Sequence, residues 1–236
     1  MTERPILFNA EMVRAILEGR KTQTRRPIKC LPKNFEKSLV GGKRHGGTQD
    51  YFCFYDGMYP EPGSVDIACP YGQPGDRLWV RETFTIESTH EWPGENLPTD
   101  GRPIKKMLNG SEDEGSELFP HYRATEPDTE LYHEDDCRKC EDNGSCSKWS
   151  PSIHMPRWAS RILLEITNVR VERIQDMGTE DFKAEGYRID PSDCFSDINT
   201  LNKIRRPFMN SWNKIYPSSW DRNDWVWVVE FRRVAP

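Results

Sequence analysis

The stretch Gly19-Arg20-Lys21-Thr22-Gln23-Thr24-Arg25-Arg26 leaves one structural element and enters another. Upstream, Asn9 is placed to cap a helix, Glu11 suits its first turn and Gly19 its end. Met12, Val13, Ile16 and Leu17 fall at the spacing of one helical face. Downstream, Pro27 disfavours helical backbone at Arg26, so the stretch should run on as extended chain. Arg20, Lys21, Arg25 and Arg26 crowd positive charge into this exit, a pattern suited to holding a phosphate or a carboxylate.

Further along, Pro74-Gly75-Asp76 marks a turn into a strand from Arg77 to Ile86, with Leu78, Val80, Phe84 and Ile86 on one face. Glu82 lies in register with them. A carboxylate on an apolar face needs a partner or an end to the strand. Pairing with Lys21, contact with a base edge and solvation at a strand end all stay open for it. A second strand region runs from about Ser160 to Ile174, and its alternation shifts near Asn168 as at a bulge. A short helix follows, with Thr179 as its cap and Gly186 beyond its end. Another helix is expected from Pro207, carrying Phe208, Trp212, Ile215 and Tyr216. Trp225 to Val234 reads as the last strand, and 51–55 and 121–124 as short ones. Strands without βαβ alternation predict a mixed α+β, mainly β fold over a single domain, 1–236, as a barrel or a sandwich. Residues 31–74 read as an irregular insertion, and 87–150 as an acidic, Cys-containing insertion with little core of its own.

Only 35% of the 236 residues are apolar and 30% are charged, so eight Trp, ten Phe and eight Tyr must supply much of the core. The net charge of −5 conceals a gradient. Residues 1–44 hold eleven Lys/Arg against four Asp/Glu, and residues 87–146 hold six against sixteen. A basic segment attracts phosphate, although a solvated mixed surface has the same composition. No apolar run approaches the roughly 20 residues that span a bilayer. The N-terminus lacks the layout of a secretory signal, which predicts a cytoplasmic protein. No Gly-rich nucleotide loop of the P-loop or dinucleotide type is present, which argues against NTP- or NAD-linked activity.

Seven Cys in a reducing compartment are read as free thiols or metal ligands rather than disulfides. His133, Cys137, Cys140 and Cys146 form the best candidate for structural zinc, because two Cys separated by two residues can bind one ion tetrahedrally. Cys69 and His154 are substitutes for the fourth ligand, while Cys30, Cys53 and Cys194 have no visible partners. A loop with free thiols is the alternative. Arg157, Trp158 and Arg161 set cations beside an aromatic ring, as in sites that stack an unpaired base and touch its phosphate. A Trp in such a run also serves simply as core.

Three stretches resemble the ASCH superfamily, a branch of the PUA-like β-barrels. They are Gly19 to Arg26, Gly75-Asp76-Arg77-Leu78-Trp79-Val80-Arg81-Glu82, and Thr179 to Gly186 followed by the strand from Trp225. Ser152 to Arg161 resembles the longer members found in phages and prophages. The resemblance implies a PUA-like barrel with short flanking helices and long loop insertions, and RNA, DNA or a modified nucleoside as ligand. Gly19, Arg20, Lys21, Thr22, Thr24 and Arg26 are similar to the pattern of the bacterial 4-acetylcytidine amidohydrolases. That likeness implies Lys21 as general base, Thr24 as nucleophile and Glu185 as proton donor. Amide hydrolysis needs those three roles, and a lysine fills the first only when its pKa falls through burial or neighbouring positive charge. From residue chemistry alone, Glu185 is equally an exposed residue at a helix end.

Three functions follow as expectations. The first is binding of nucleic acid or a modified nucleoside through Arg20, Lys21, Arg25, Arg26, Glu82, Arg157 and Trp158. The second is hydrolysis of an acylated cytidine through Lys21, Thr24 and Glu185. The third is a phage-encoded interaction protein that acts through the acidic insertion.

Overall fold

A computed structural model describes residues 1–29, 37–43, 50–55, 65–88, 102–106, 117–127, 149–188 and 198–235. The protein is mixed α+β and mainly strand. Its strands are β1 (Glu3–Leu7), β2 (Gln23–Pro27), β3 (Lys37–Lys43), β4 (Asp50–Tyr55), β5 (Val65–Ala68) and β6 (Arg77–Arg81). They continue with β7 (Phe84–Ser88), β8 (Lys105–Lys106), β9 (Glu117–Tyr122), β10 (Leu163–Arg173) and β11 (Trp225–Val234). The helices are α1 (Ala10–Leu17), α2 (Thr179–Ala184) and α3 (Ile198–Ile215).

The largest sheet has the order β1-β6-β10-β11-β2. It ends at β1 and β2, so among the described residues it is open and no closed barrel forms. Two three-stranded sheets have the orders β3-β4-β5 and β7-β9-β8. The chain divides into two compact units. One holds Met1–Arg4, Ala15–Leu78 and Leu164–Arg233; the other holds Pro5–Arg14, Trp79–Leu163 and Val234–Pro236.

In the first unit Ile174, Phe182, Phe208, Trp212, Trp220, Val226 and Val228 form a buried cluster. The Phe208 and Trp212 rings stack with centroids 5.7 Å apart. Each such side chain contributes about 1.5–3 kcal/mol on leaving water. Trp225 and Trp227 of β11 take the edges of Phe54 and Phe52 from β4. In the second unit the cluster is Phe84, Tyr122, Met155 and Ala159, with Trp158 packed against it.

Asn9 caps α1, its Oδ1 accepting the Met12 N–H at 2.8 Å, and Gly19 takes φ +74° after the helix. Several expectations need correction. The strand expected from Arg77 to Ile86 is two strands in two sheets, with the break at Glu82 and Thr83. The apolar face therefore does not continue, and Ile86 is exposed. The short strand read at 51–55 is β4, but the rest of 31–74, read as irregular, also contains β3 and β5, which pair with it as an antiparallel sheet. The cap of α2 is Gly178 rather than Thr179, and Asp181 Oδ2 accepts the Gly178 N–H at 2.9 Å. The helix expected from Pro207 begins at Ile198 and holds Pro207 in its interior. The burial of Phe208 and Trp212 outweighs the hydrogen bond lost at Pro207. Both faces of β11 are covered, since Val226, Trp227, Val228 and Val229 are all buried.

Candidate functional site

Backbone pairing builds the site in the first unit. Strand β2 runs antiparallel to β11, with Thr24 opposite Val229, Arg25 opposite Val228 and Arg26 opposite Trp227. Just before β2, the amides of Arg20 and Lys21 both donate to the Ala15 carbonyl, at 2.9 and 3.0 Å. Thr22 N–H donates to Ala184 O at 2.8 Å, and Lys21 forms an isolated β-bridge with Glu185. The end of α2 is thereby laid against the exit from α1. Gly186 permits this contact at φ +99°, where a Cβ would lie 2.8 Å from Ala15 Cβ and 3.2 Å from Lys21 Cβ.

Lys21 Nζ donates to Glu185 Oε2 at 2.5 Å and to the Glu185 carbonyl at 3.0 Å. The other oxygen of that carboxylate, Oε1, accepts from Arg25 Nη1 at 3.1 Å. Arg25 also donates from Nε to Glu172 at 2.8 Å, and its Nη2 lies 2.8 Å from Asp181 Oδ1. The side chains of Lys21 and Arg25 have no exposed area. Arg170, half-exposed, bonds Glu172, Asp181 and Glu230. Gln23 Nε2 donates to the Asp181 side chain at 3.1 Å. Three cations are thus interleaved with four carboxylates.

Burial lowers the pKa of Lys21; Glu185 opposes this by charge and hydrogen bond, while Arg26 and Arg25 add to it. Burial also works against the charge of Arg25, but Glu185, Glu172 and Asp181 together raise its pKa above the usual arginine value. Burial likewise opposes ionisation of Asp181, and hydrogen bonds from Arg25, Gln23 and the Gly178 amide overcome it to lower its pKa.

Thr22, Gln23, Thr167, Arg170, Asp181 and Phe231 are among the residues that wall a cleft of about 290 Å³, together with Glu180, Ala184 and Glu230. Side chains alternate along β2. Gln23 and Arg25 both reach Asp181, so Thr24 and Arg26 belong to the opposite face.

The structure joins Lys21, Arg25 and Glu185. Thr24 is buried on the far face of β2, and Arg26 is nearly buried. Arg20 is partly exposed and bonds Glu18 and the Gly186 carbonyl. Glu185, one of the alternatives for which was an exposed helix end, is buried. Glu82 is buried in the second unit and is neither solvated nor paired as expected: Arg161 Nε and Nη2 donate to its two oxygens, each at 3.0 Å. Burial raises the pKa of Glu82 despite that partner. Arg157 and Trp158 are half-buried in a 3-10 turn, and His154 is exposed.

His133, Cys137, Cys140 and Cys146 lie outside the described residues, as do Cys30 and Cys194. The zinc expectation therefore rests on their spacing in the sequence. Among the described residues no group of three or more His, Cys, Asp or Glu is placed to hold a metal. Cys69 is buried, which pushes its thiol up to about 11. No helix of the described residues is long and apolar enough to cross a membrane.

Sequence reasoning missed Glu172, Arg170, Asp181 and Glu230. Arg170 and Glu172 stand two apart on β10, a spacing that places both on one face, but their partners come from β2, α2 and β11. Comparison with family models, curated proteins and solved structures finds no match.

Proposed function

We propose that this chain is a member of the PUA-like ASCH class and binds a nucleoside, free or within RNA or DNA, in the cleft beside β2. Support for the class comes from Lys21 and Glu185, 164 residues apart, which the resemblance pairs and which are in contact. The ligand reading is carried by the make-up of the cleft. Its wall combines amide and guanidinium donors from Gln23 and Arg170, carboxylate acceptors from Asp181 and Glu230, and the Phe231 ring. Such a mixture matches the edges and the face of a nucleobase. Its volume of about 290 Å³ stands at the small end of ligand sites, which run from about 300 Å³ upward.

A calorimetric panel of plain and modified nucleosides tests the reading. At least one modified nucleoside is expected to bind with a Kd of about 1–100 μM, and Arg170→Ala to weaken it by about tenfold or more. A panel in which every nucleoside binds weaker than about 1 mM removes the proposal.

A second reading, hydrolysis of an acylated cytidine, is favoured by the lowered pKa of Lys21 and its contact with Glu185. In this chemistry neutral Lys21 takes the proton of the Thr24 hydroxyl as it attacks the acyl carbon. Glu185 receives that proton from Lys21 and passes it to the departing amine as the C–N bond breaks, and water then cleaves the acyl-Thr24 ester to release acetate. The reading ranks second because Thr24 is 1% exposed and lies on the face of β2 opposite Arg25, which shares Glu185 with Lys21. Acetate release from 4-acetylcytidine is then expected to rise with pH as Lys21 loses its proton, below the ordinary lysine range. Lys21→Ala should slow it by about 100-fold or more. Turnover unchanged in that variant, or unchanged in Thr24→Ala, refutes this chemistry. The acidic stretch decides neither reading, because most of it lies outside the described residues.

A further inference from the structure

The second unit holds a buried ion pair that neither reading uses. Glu82 is 2% exposed, and Arg161 meets both of its oxygens through Nε and Nη2. The Arg161 guanidinium also lies over the Tyr122 ring, 3.8 Å from its centroid. That ring is itself fixed, because Tyr122 is 1% exposed and its hydroxyl donates to Ala159 O at 2.9 Å. One face and one edge of the guanidinium are therefore held. Its remaining nitrogen, Nη1, has no partner among the described residues, and the Arg161 side chain keeps 19% of its surface exposed.

Among the described residues, several cations lie around the same aromatic cluster. Arg81 Nε donates to the Met155 carbonyl, Lys105 Nζ sits 5.8 Å from the centroid of Trp158, and Arg157 precedes Trp158 in its turn. Glu126 is engaged by Arg102 at 3.1 Å. Stability alone does not require a salt bridge here, since an apolar pair of similar volume serves a core as well. A guanidinium locked at two donors, stacked on a ring and with its third nitrogen unengaged among the described residues is pre-organised for an incoming oxyanion.

We infer that Arg161 marks a phosphate-recognition point in the second unit, distinct from the cleft beside β2. The chemistry is a phosphate oxyanion received at Nη1, with Lys105 and Arg157 adding long-range attraction. It comes either from the phosphodiester backbone of a single-stranded nucleic acid or from free phosphate.

Two probes distinguish these sources on the full chain. A fluorescein-labelled short single-stranded RNA is followed by anisotropy, and inorganic phosphate by calorimetry. Because Arg161→Gln strands a buried carboxylate, the main variant is Glu82→Gln with Arg161→Met, which keeps volume and removes both charges. Arg161→Lys is run beside it, and circular dichroism confirms that each variant is folded. Wild-type protein is expected to bind one probe or both, with affinity falling as salt rises. The double variant should lose about tenfold or more, and Arg161→Lys nearly as much, because the fork and not the charge sets the geometry. Binding of inorganic phosphate identifies a free-phosphate site; binding of the RNA alone identifies a phosphodiester site. The inference is overturned if wild-type protein binds neither probe, or if the folded double variant binds whatever wild type binds with unchanged affinity. Failure of the nucleoside panel leaves this result untouched, since the Arg170→Ala readout belongs to the other unit.

Discussion

Glu185→Ala is expected to lower stability by about 3–5 kcal/mol, the usual effect of removing one partner from a buried ion pair. Lys21 and Arg25 have fully buried side chains, and each donates to a different oxygen of Glu185. Alanine removes both acceptors and leaves the cations in place. The Glu185 carbonyl still accepts from Lys21, which returns only part of the loss. Urea denaturation measures the effect as a shift in midpoint at constant slope. Thermal melting should fall by about 2–4 °C for each kcal/mol. Lys21→Met combined with Glu185→Leu should recover part of the loss, because it removes the stranded Lys21 charge while Arg25 keeps Glu172 and Asp181. A loss below about 1 kcal/mol in Glu185→Ala would show that the pair is screened by water, as at a surface.

Gly186→Ala is the second large effect, about 2–5 kcal/mol, from positive-φ backbone strain together with overpacking. Gly186 has φ +99°, and an added Cβ would meet Ala15 Cβ at 2.8 Å and Lys21 Cβ at 3.2 Å. Neither obstacle is the end of a flexible side chain, so relief requires the bridge between Lys21 and Glu185 to open. Gly19→Ala is the control. Gly19 also has positive φ, +74°, but a methyl group added there would have nothing within 4 Å. It should cost only the backbone term, about 1–2 kcal/mol. Equal losses at the two glycines in denaturant titration would show that the contact with Lys21 contributes nothing.

The local signals in the sequence predict a good part of this structure. Asn9 and Gly19 bound α1 as capping chemistry requires. The strand read from Trp225 to Val234 coincides with β11. Glu82 was legible as a carboxylate in need of a partner, because its apolar neighbours on the strand were visible. Its partner was not, since Arg161 comes from another element and no local pattern links the two. An end to the strand at Glu82 was one of the open alternatives, but the handover from one sheet to another was not visible, because it depends on long-range pairing. Pro207 misled because proline is common at a helix start, whereas here the buried face of α3 outweighs it. The site was half legible. The basic exit from α1 stood out, but the carboxylates that enclose Arg25 are scattered over β10, α2 and the residue after α2, and have no shared sequence signal.

The enclosure of Arg25 constrains how this protein can change. Its guanidinium is shared among Glu172, Asp181 and Glu185, and each of those carboxylates is shared again, with Arg170 or Lys21. Altering Lys21, Arg25 or Glu185 takes a partner from a charge that is buried away from water. Viable sequences should therefore substitute these positions jointly, and a library that randomises them together should yield folded variants that single-site scanning misses.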